Sequence, residues 1–139
     1  MLKIDERLLD KVVHEARENE RKRKHHNFHS SYDEPVQRLL NAIEPESYIR
    51  PHMHKNPDKL EIFFVLRGRL LVIEFEEDGK IREHYLLDAS GSRYGVEIYP
   101  ENFHTVISLE TGTVAYEVKN GPFDPSSDKN FARWAPEEG

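Results

Sequence analysis

The sequence predicts an all-β fold, an antiparallel sandwich or barrel preceded by one or two short helices. Three observations predict it. From Tyr48 onward, short runs such as "LEIFFVL", "RLLVIEFEE", "KIREHYLL" and "TVAYEVK" are rich in β-branched and aromatic residues and vary with period two. Tight-turn signals separate them, notably Asp78-Gly79 and the glycines at 68, 91, 95, 112 and 121. No helical pattern interrupts the series, and parallel strands would need crossovers.

Before the strands, Ile4, Leu8, Leu9, Val12, Val13 and Ala16 form one stripe of an amphipathic helix, with Asp5 placed to cap its start. The following "RENERKRKHH" reads as a solvated helix end whose cations complement the macrodipole. A second short helix is expected over "DEPVQRLLNAIE", with Pro35 at its first position and Val36, Leu39, Leu40 and Ile43 on one face. The tail "NGPFDPSSDKNFARWAPEEG" carries three of the eight prolines and no periodicity, and is expected to lay Phe123, Phe131 and Trp134 on the barrel. The expected division is a helical extension over residues 1–46, a barrel over 47–120 and a loop tail over 121–139.

With 139 residues, 37% apolar and 33% charged, the chain is long enough for one small core. A net charge of −6 argues against nucleic-acid binding. No apolar stretch approaches a membrane span, and the charged start "MLKIDERLLDK" does not suit an export signal, so a cytoplasmic location is expected. Without cysteine, any metal must be held by histidine and carboxylate.

The candidate chemistry lies in "RPHMHKNPDKLEIFFVLRG". On a strand, His52 and His54 aim at one side, and two imidazoles supply half of a four-ligand set. Glu61 offers a carboxylate and shares parity with Phe63 and Val65. If those face the interior, coordination would remove the cost of burying it unpaired. His104, at the start of a later strand, would complete the set if the barrel brings it opposite.

These residues resemble the first motif of the cupins, His52-x-His54 with Glu61 and Gly68 beyond, and Gly95 to His104 resembles the second. The resemblance implies a jelly-roll barrel, the double-stranded β-helix, in which His52, His54, Glu61 and His104 bind one divalent metal: Fe, Mn, Ni, Co or Zn. Two departures stand out. Six residues separate His54 from Glu61 where three or four are usual, and the turn Tyr99–Phe103 lacks the usual glycine. "NFHSSYDEPVQRLLNAIEPESYIRPH" and "YEVKNGPFDPSSDKNFARWAP" further resemble the flanks of the WbuC family of single-domain cupins, whose genes lie among those for O-antigen and other surface polysaccharides.

Arg50, Arg38, Asn27 and His29 are the next candidates, as substrate-binding groups for an anion, because a guanidinium suits a carboxylate or phosphate. His14, His25, His26 and His84 read as surface residues. Two function classes follow. One is a metal-dependent enzyme of sugar or small-acid metabolism, an isomerase or epimerase or an oxygenase; the other is a non-catalytic binding module. A metal-free epimerase would need a His-carboxylate base and a tyrosine acid, with Tyr94, Tyr99 and Tyr116 available. Leu60, Ile62, Phe64 and Leu66 make the outer face of their strand apolar as well, so it needs cover from the first helix or a second subunit; a homodimer is expected.

Overall fold

The computed structural model describes all residues, 1–139. Helix α1 spans Glu6–Glu18, and the Asp5 side chain accepts a hydrogen bond from the Leu8 amide at 3.0 Å, the expected cap. Ten strands follow: β1 (Arg23–Asn27), β2 (Val36–Ile43), β3 (His52–Met53), β4 (Glu61–Arg67), β5 (Arg69–Phe75), β6 (Ile81–Asp88), β7 (Gly95–Ile98), β8 (Phe103–Ser108), β9 (Thr113–Asn120) and β10 (Asn130–Phe131). They form two five-stranded sheets of order β1-β2-β9-β4-β7 and β10-β3-β8-β5-β6, every pairing antiparallel.

The sheets face each other across a core that includes Ile43, Phe63, Val65, Leu70, Val72, Leu87, Ile98 and Val106. A second cluster joins Leu9, Val12, Val13 and Ala16 of α1 to Leu40, Ala42 and Val114 on the outside of the first sheet. Each fully buried Val or Leu there contributes about 1.5–3 kcal/mol. The helix is also tied down by buried Glu44, whose carboxylate accepts from Arg17, Thr111 and the Gly112 amide.

Two sequence-based expectations are corrected. Residues 36–43 form strand β2, not a helix. Val36, Leu39, Leu40 and Ile43 do fall at helical spacing, but the apolar positions reflect a strand buried on both faces. Leu40 and Ala42 meet α1, whereas Leu39, Asn41 and Ile43 face the barrel interior. "RKHHN" is likewise strand β1, paired with β2 from Arg23↔Ile43 to Asn27↔Leu39. The first sheet thus begins at Arg23, inside the segment expected to be a helical extension.

Other expectations hold. Asp78-Gly79 turns the chain between β5 and β6, with Gly79 at φ +91°. Gly68 turns it between β4 and β5 at φ +76°, so close to Thr113 that an added Cβ would collide with it. In β4, Glu61, Phe63 and Val65 point inward while Phe64 and Leu66 are exposed. Helix α1 lies over β1, β2 and β9, so it leaves that outer apolar pair uncovered. In the tail, Trp134 lies against Phe75 and Phe103, at ring-centroid separations of 5.0 and 6.1 Å. The glycine-free turn before His104 is made without any positive φ, which among non-glycine residues occurs at Lys22 and Asn56 alone. No helix is long and apolar enough to cross a membrane.

Candidate metal centre

Strand pairing explains how the distant histidines meet. His52 on β3 stands directly across from His104 on β8, in the second sheet. His54 follows His52 on the same side, and Glu61, first residue of β4, reaches over from the first sheet. One ligating atom from each of the four lies within 4.8 Å of the others, and all four residues are buried. The six-residue loop from Lys55 to Leu60 therefore does not keep Glu61 away.

The orientation of the three rings is fixed from behind. Each Nδ1 faces a main-chain carbonyl: His52 that of Arg50 at 2.8 Å, His54 that of Asp128 at 2.6 Å, and His104 that of Asn102 at 3.0 Å. Carbonyls only accept, so each Nδ1 carries the proton and each neutral ring presents the Nε2 lone pair to the centre. Burial and the neighbouring His104 hold the His52 pKa well below its ordinary value, which keeps that ring neutral.

This places electron pairs against one another. The Oε2 of Glu61 is 2.8 Å from His54 Nε2 and 3.0 Å from His104 Nε2. His54 Nε2 is buried without a properly aligned hydrogen-bond partner. Converging nitrogen lone pairs and a carboxylate, shielded from water, are the environment a divalent first-row cation relieves. The residues present fit such a metal.

A second layer keeps Glu61 anionic. Burial alone would raise its pKa, but the hydrogen bond from Glu117, with the His104 and His54 rings close beside the carboxylate, outweighs it and holds the group well below the carboxylate range. Burial and the Glu61 charge push Glu117 the other way, well above that range, so Glu117 keeps a proton and donates it. The Asn41 amide is 3.4 Å from Glu117. On the same interior face of β9, Lys119 stands opposite Glu61 and pairs with Asp128 at 2.9 Å, and Asp128 is also 3.4 Å from Lys59.

The tetrad opens into a cavity of about 540 Å³ bounded by both sheets, β1 and the tail. The structure divides the four expected substrate residues. Asn27 and His29 line the cavity; Arg38 and Arg50 do not. Arg38 has the even parity of Leu40 and Ala42 on β2, so it faces outward, and it pairs with Glu34 at 2.6 Å. Arg50 turns to the tail, donating to the Ala132 carbonyl at 3.2 Å and lying over the Phe131 ring at 5.0 Å. His25 is exposed, as expected, and also lines the cavity across from Asn41. Its ring is accessible from the cavity, while burial and the cations Lys129, Lys119 and Arg23 push its pKa down to about 4.

Sequence reasoning missed Glu117, Lys119, Asp128 and Lys129. The alternation of "AYEVK" does place Ala115, Glu117 and Lys119 on one face; the two tail residues follow no period. The tyrosines available to a metal-free epimerase are elsewhere. Tyr94 and Tyr99 are exposed, and Tyr116 packs beside Phe28 on the α1 side.

Fold and site together define a cupin with a three-histidine, one-glutamate candidate metal centre. A family model described as a domain of unknown function (DUF6016) matches residues 4–87, and the chain belongs to that family. No curated protein matches the sequence. Among solved structures of the cupin fold, the capsular polysaccharide assembling protein CapF from Staphylococcus aureus aligns with a TM-score of 0.67 at 21% identity over 81% of this chain. L-ribose isomerase from Cellulomonas parahominis aligns at 0.56 and 16% identity, over 77% of this chain and 61% of its own. Oxalate decarboxylase from Lactobacillus farciminis aligns at 0.53 and 14%, over 70% of this chain and 27% of its own. The chain spans 32% of the CapF chain. At these identities the likeness is one of fold.

Proposed function

We propose that the protein is a metal-dependent cupin that acts in the cytoplasm on a sugar-derived or small anionic metabolite of surface-polysaccharide biosynthesis. The observation that carries this reading is the tetrad itself: three imidazoles anchored through Nδ1, with their Nε2 atoms and Glu61 converging at the floor of a ligand-sized cavity. The flanks that resemble the WbuC family, and a fold shared with a protein named for capsular polysaccharide assembly, support the choice of pathway.

His52, His54, Glu61 and His104 would hold one ion of Fe, Mn, Ni, Co or Zn. Bound there, the metal would supply Lewis acidity toward a substrate oxygen. The chain's own contribution is to fix the rings, keep Glu61 ionised through the Glu117 proton, and enclose the substrate between the sheets and the tail. A second copy of the chain would cover exposed Phe64 and Leu66, making the protein a homodimer.

One observation favours a second reading, a non-catalytic binding module. The carboxylates of the cavity are engaged: Glu61 in the tetrad, Glu117 with Glu61, and Asp128 with Lys119 and Lys59. None is left as a free general base. The two readings separate in one experiment. Protein purified without chelators is analysed for metal and incubated with activated sugars and small organic acids. About one equivalent of metal and conversion of a panel member is expected. Full metal with binding but no conversion supports the module, and metal below about one-tenth of an equivalent contradicts both. His104→Ala is expected to lose most of the metal.

A further inference from the structure

The cavity that opens from the tetrad is lined by four cationic side chains, and three are spoken for. Arg21 and Arg23 both hold the Glu138 carboxylate, at 2.8 and 2.9 Å, and Lys119 holds Asp128 at 2.9 Å. Lys129 is the fourth. It lies one residue before β10 and shares the parity of Phe131, which pairs across from His52. Its ammonium makes no ion pair and no hydrogen bond within the protein, although it is half-buried and lines the same space as the tetrad.

A second polar group is also unanswered. The Asn41 Oδ1 is buried without a hydrogen-bond partner, on the opposite wall beside His25. An ammonium without a counter-ion and an acceptor without a donor, facing one cavity, describe the ligand that would satisfy them. It has an oxyanion at one point and a hydroxyl at another. The two arginines that would otherwise compete for the anion share the Glu138 carboxylate, and Arg23 also donates to the Ser47 hydroxyl and the Tyr48 carbonyl.

We propose that Lys129 is the anion-binding residue of this cavity, receiving the carboxylate or phosphate of a hydroxylated small-molecule substrate whose hydroxyl donates to Asn41 Oδ1. This rests on the reading that the cavity holds the substrate, and it replaces Arg38 and Arg50 as the anion-recognising groups. Burial, with the nearby charges of Lys119 and Arg23, pushes the Lys129 pKa down despite the opposing acidic groups Glu117 and Glu61. An arriving anion would restore the charged form.

The test measures binding of D-glucose, D-glucuronate and D-glucose 6-phosphate by calorimetry to the metal-loaded full chain, and again after chelation. At least one anionic sugar is expected to bind about tenfold or more tighter than glucose, the size of one charge-assisted contact. Glucuronate and glucose 6-phosphate distinguish a carboxylate from a phosphate. Lys129→Met should abolish the preference with metal content unchanged, and Lys129→Arg should keep most of it. The preference attributable to Lys129 should survive chelation, which separates this proposal from the fate of the metal reading. Equal affinity for the neutral and anionic sugars, a preference that persists in Lys129→Met, or no binding of any of the three at millimolar concentration would overturn it.

Discussion

At the scale of single residues, the site depends on a difference between two glutamates. Glu61 and Glu117 sit on neighbouring strands, β4 and β9, with Glu117 directly across from Phe63, and both are nine-tenths or more buried. Two anions there would repel strongly, so one proton is kept, and the structure places it on Glu117. A neutral donor is what glutamine also provides. Glu117→Gln is therefore expected to retain the metal and to shift stability by about 1 kcal/mol or less. Glu61→Gln removes a charged ligand and should lose most of the metal. Elemental analysis and thermal melts of the two variants check this; loss of metal in Glu117→Gln equal to that in Glu61→Gln would show that Glu117 is a charged member of the site.

At the scale of elements, the C-terminal tail acts as a clasp. It supplies the Asp128 carbonyl that orients His54, the strand that pairs with β3, and Glu138, which reaches back to Arg21 and Arg23. Hydrogen bonds from Arg21 and Arg23 overcome a small burial cost and lower the Glu138 pKa from 4.5 to about 2. A carboxylate depressed in the folded state stabilises fully above its unfolded pKa, and that stability is lost as pH falls from about 4.5 through 2. Because the pair is partly open to solvent, screening reduces it to about 1 kcal/mol. Glu138→Gln should lower the melting temperature by about 3 °C near neutral pH and by progressively less on acidification below pH 4.5. A difference that does not shrink with acid would contradict the clasp.

The elements also show what the sequence made legible. The tetrad was legible through its likeness to the cupin motifs, and β4, rich in aromatic and β-branched residues and followed by turns whose Gly68 and Gly79 have positive φ, could be read directly. β2 could not, because α1 covers one face and the core the other, which erases the period-two signal and leaves a spacing that mimics a helix. β1 has no β-branched residue to announce it. That error hid His25 and Asn41, since only strand parity turns them toward the cavity, and it turned Arg38 the wrong way. Lys129 and Asp128 lie in an aperiodic tail whose path no local pattern specifies.

At the scale of the whole molecule, the barrel makes one shielded point where residues far apart in sequence, from His52 to His104, meet. Without a cation, that point juxtaposes lone pairs at 2.8 and 3.0 Å around Glu61, so metal binding should also stabilise the fold by mass action. At a hundredfold excess over the dissociation constant the gain is about 2.7 kcal/mol. Acid should reverse it, because protonated imidazoles release metal.

The most direct measurement is anomalous diffraction from crystals grown with manganese or cobalt, recorded at the metal's absorption edge. One peak per chain, bonded to the Nε2 atoms of His52, His54 and His104 and to the Glu61 carboxylate, is the predicted result. Electron density showing the three rings turned apart, or a metal bound only elsewhere on the chain, would contradict it.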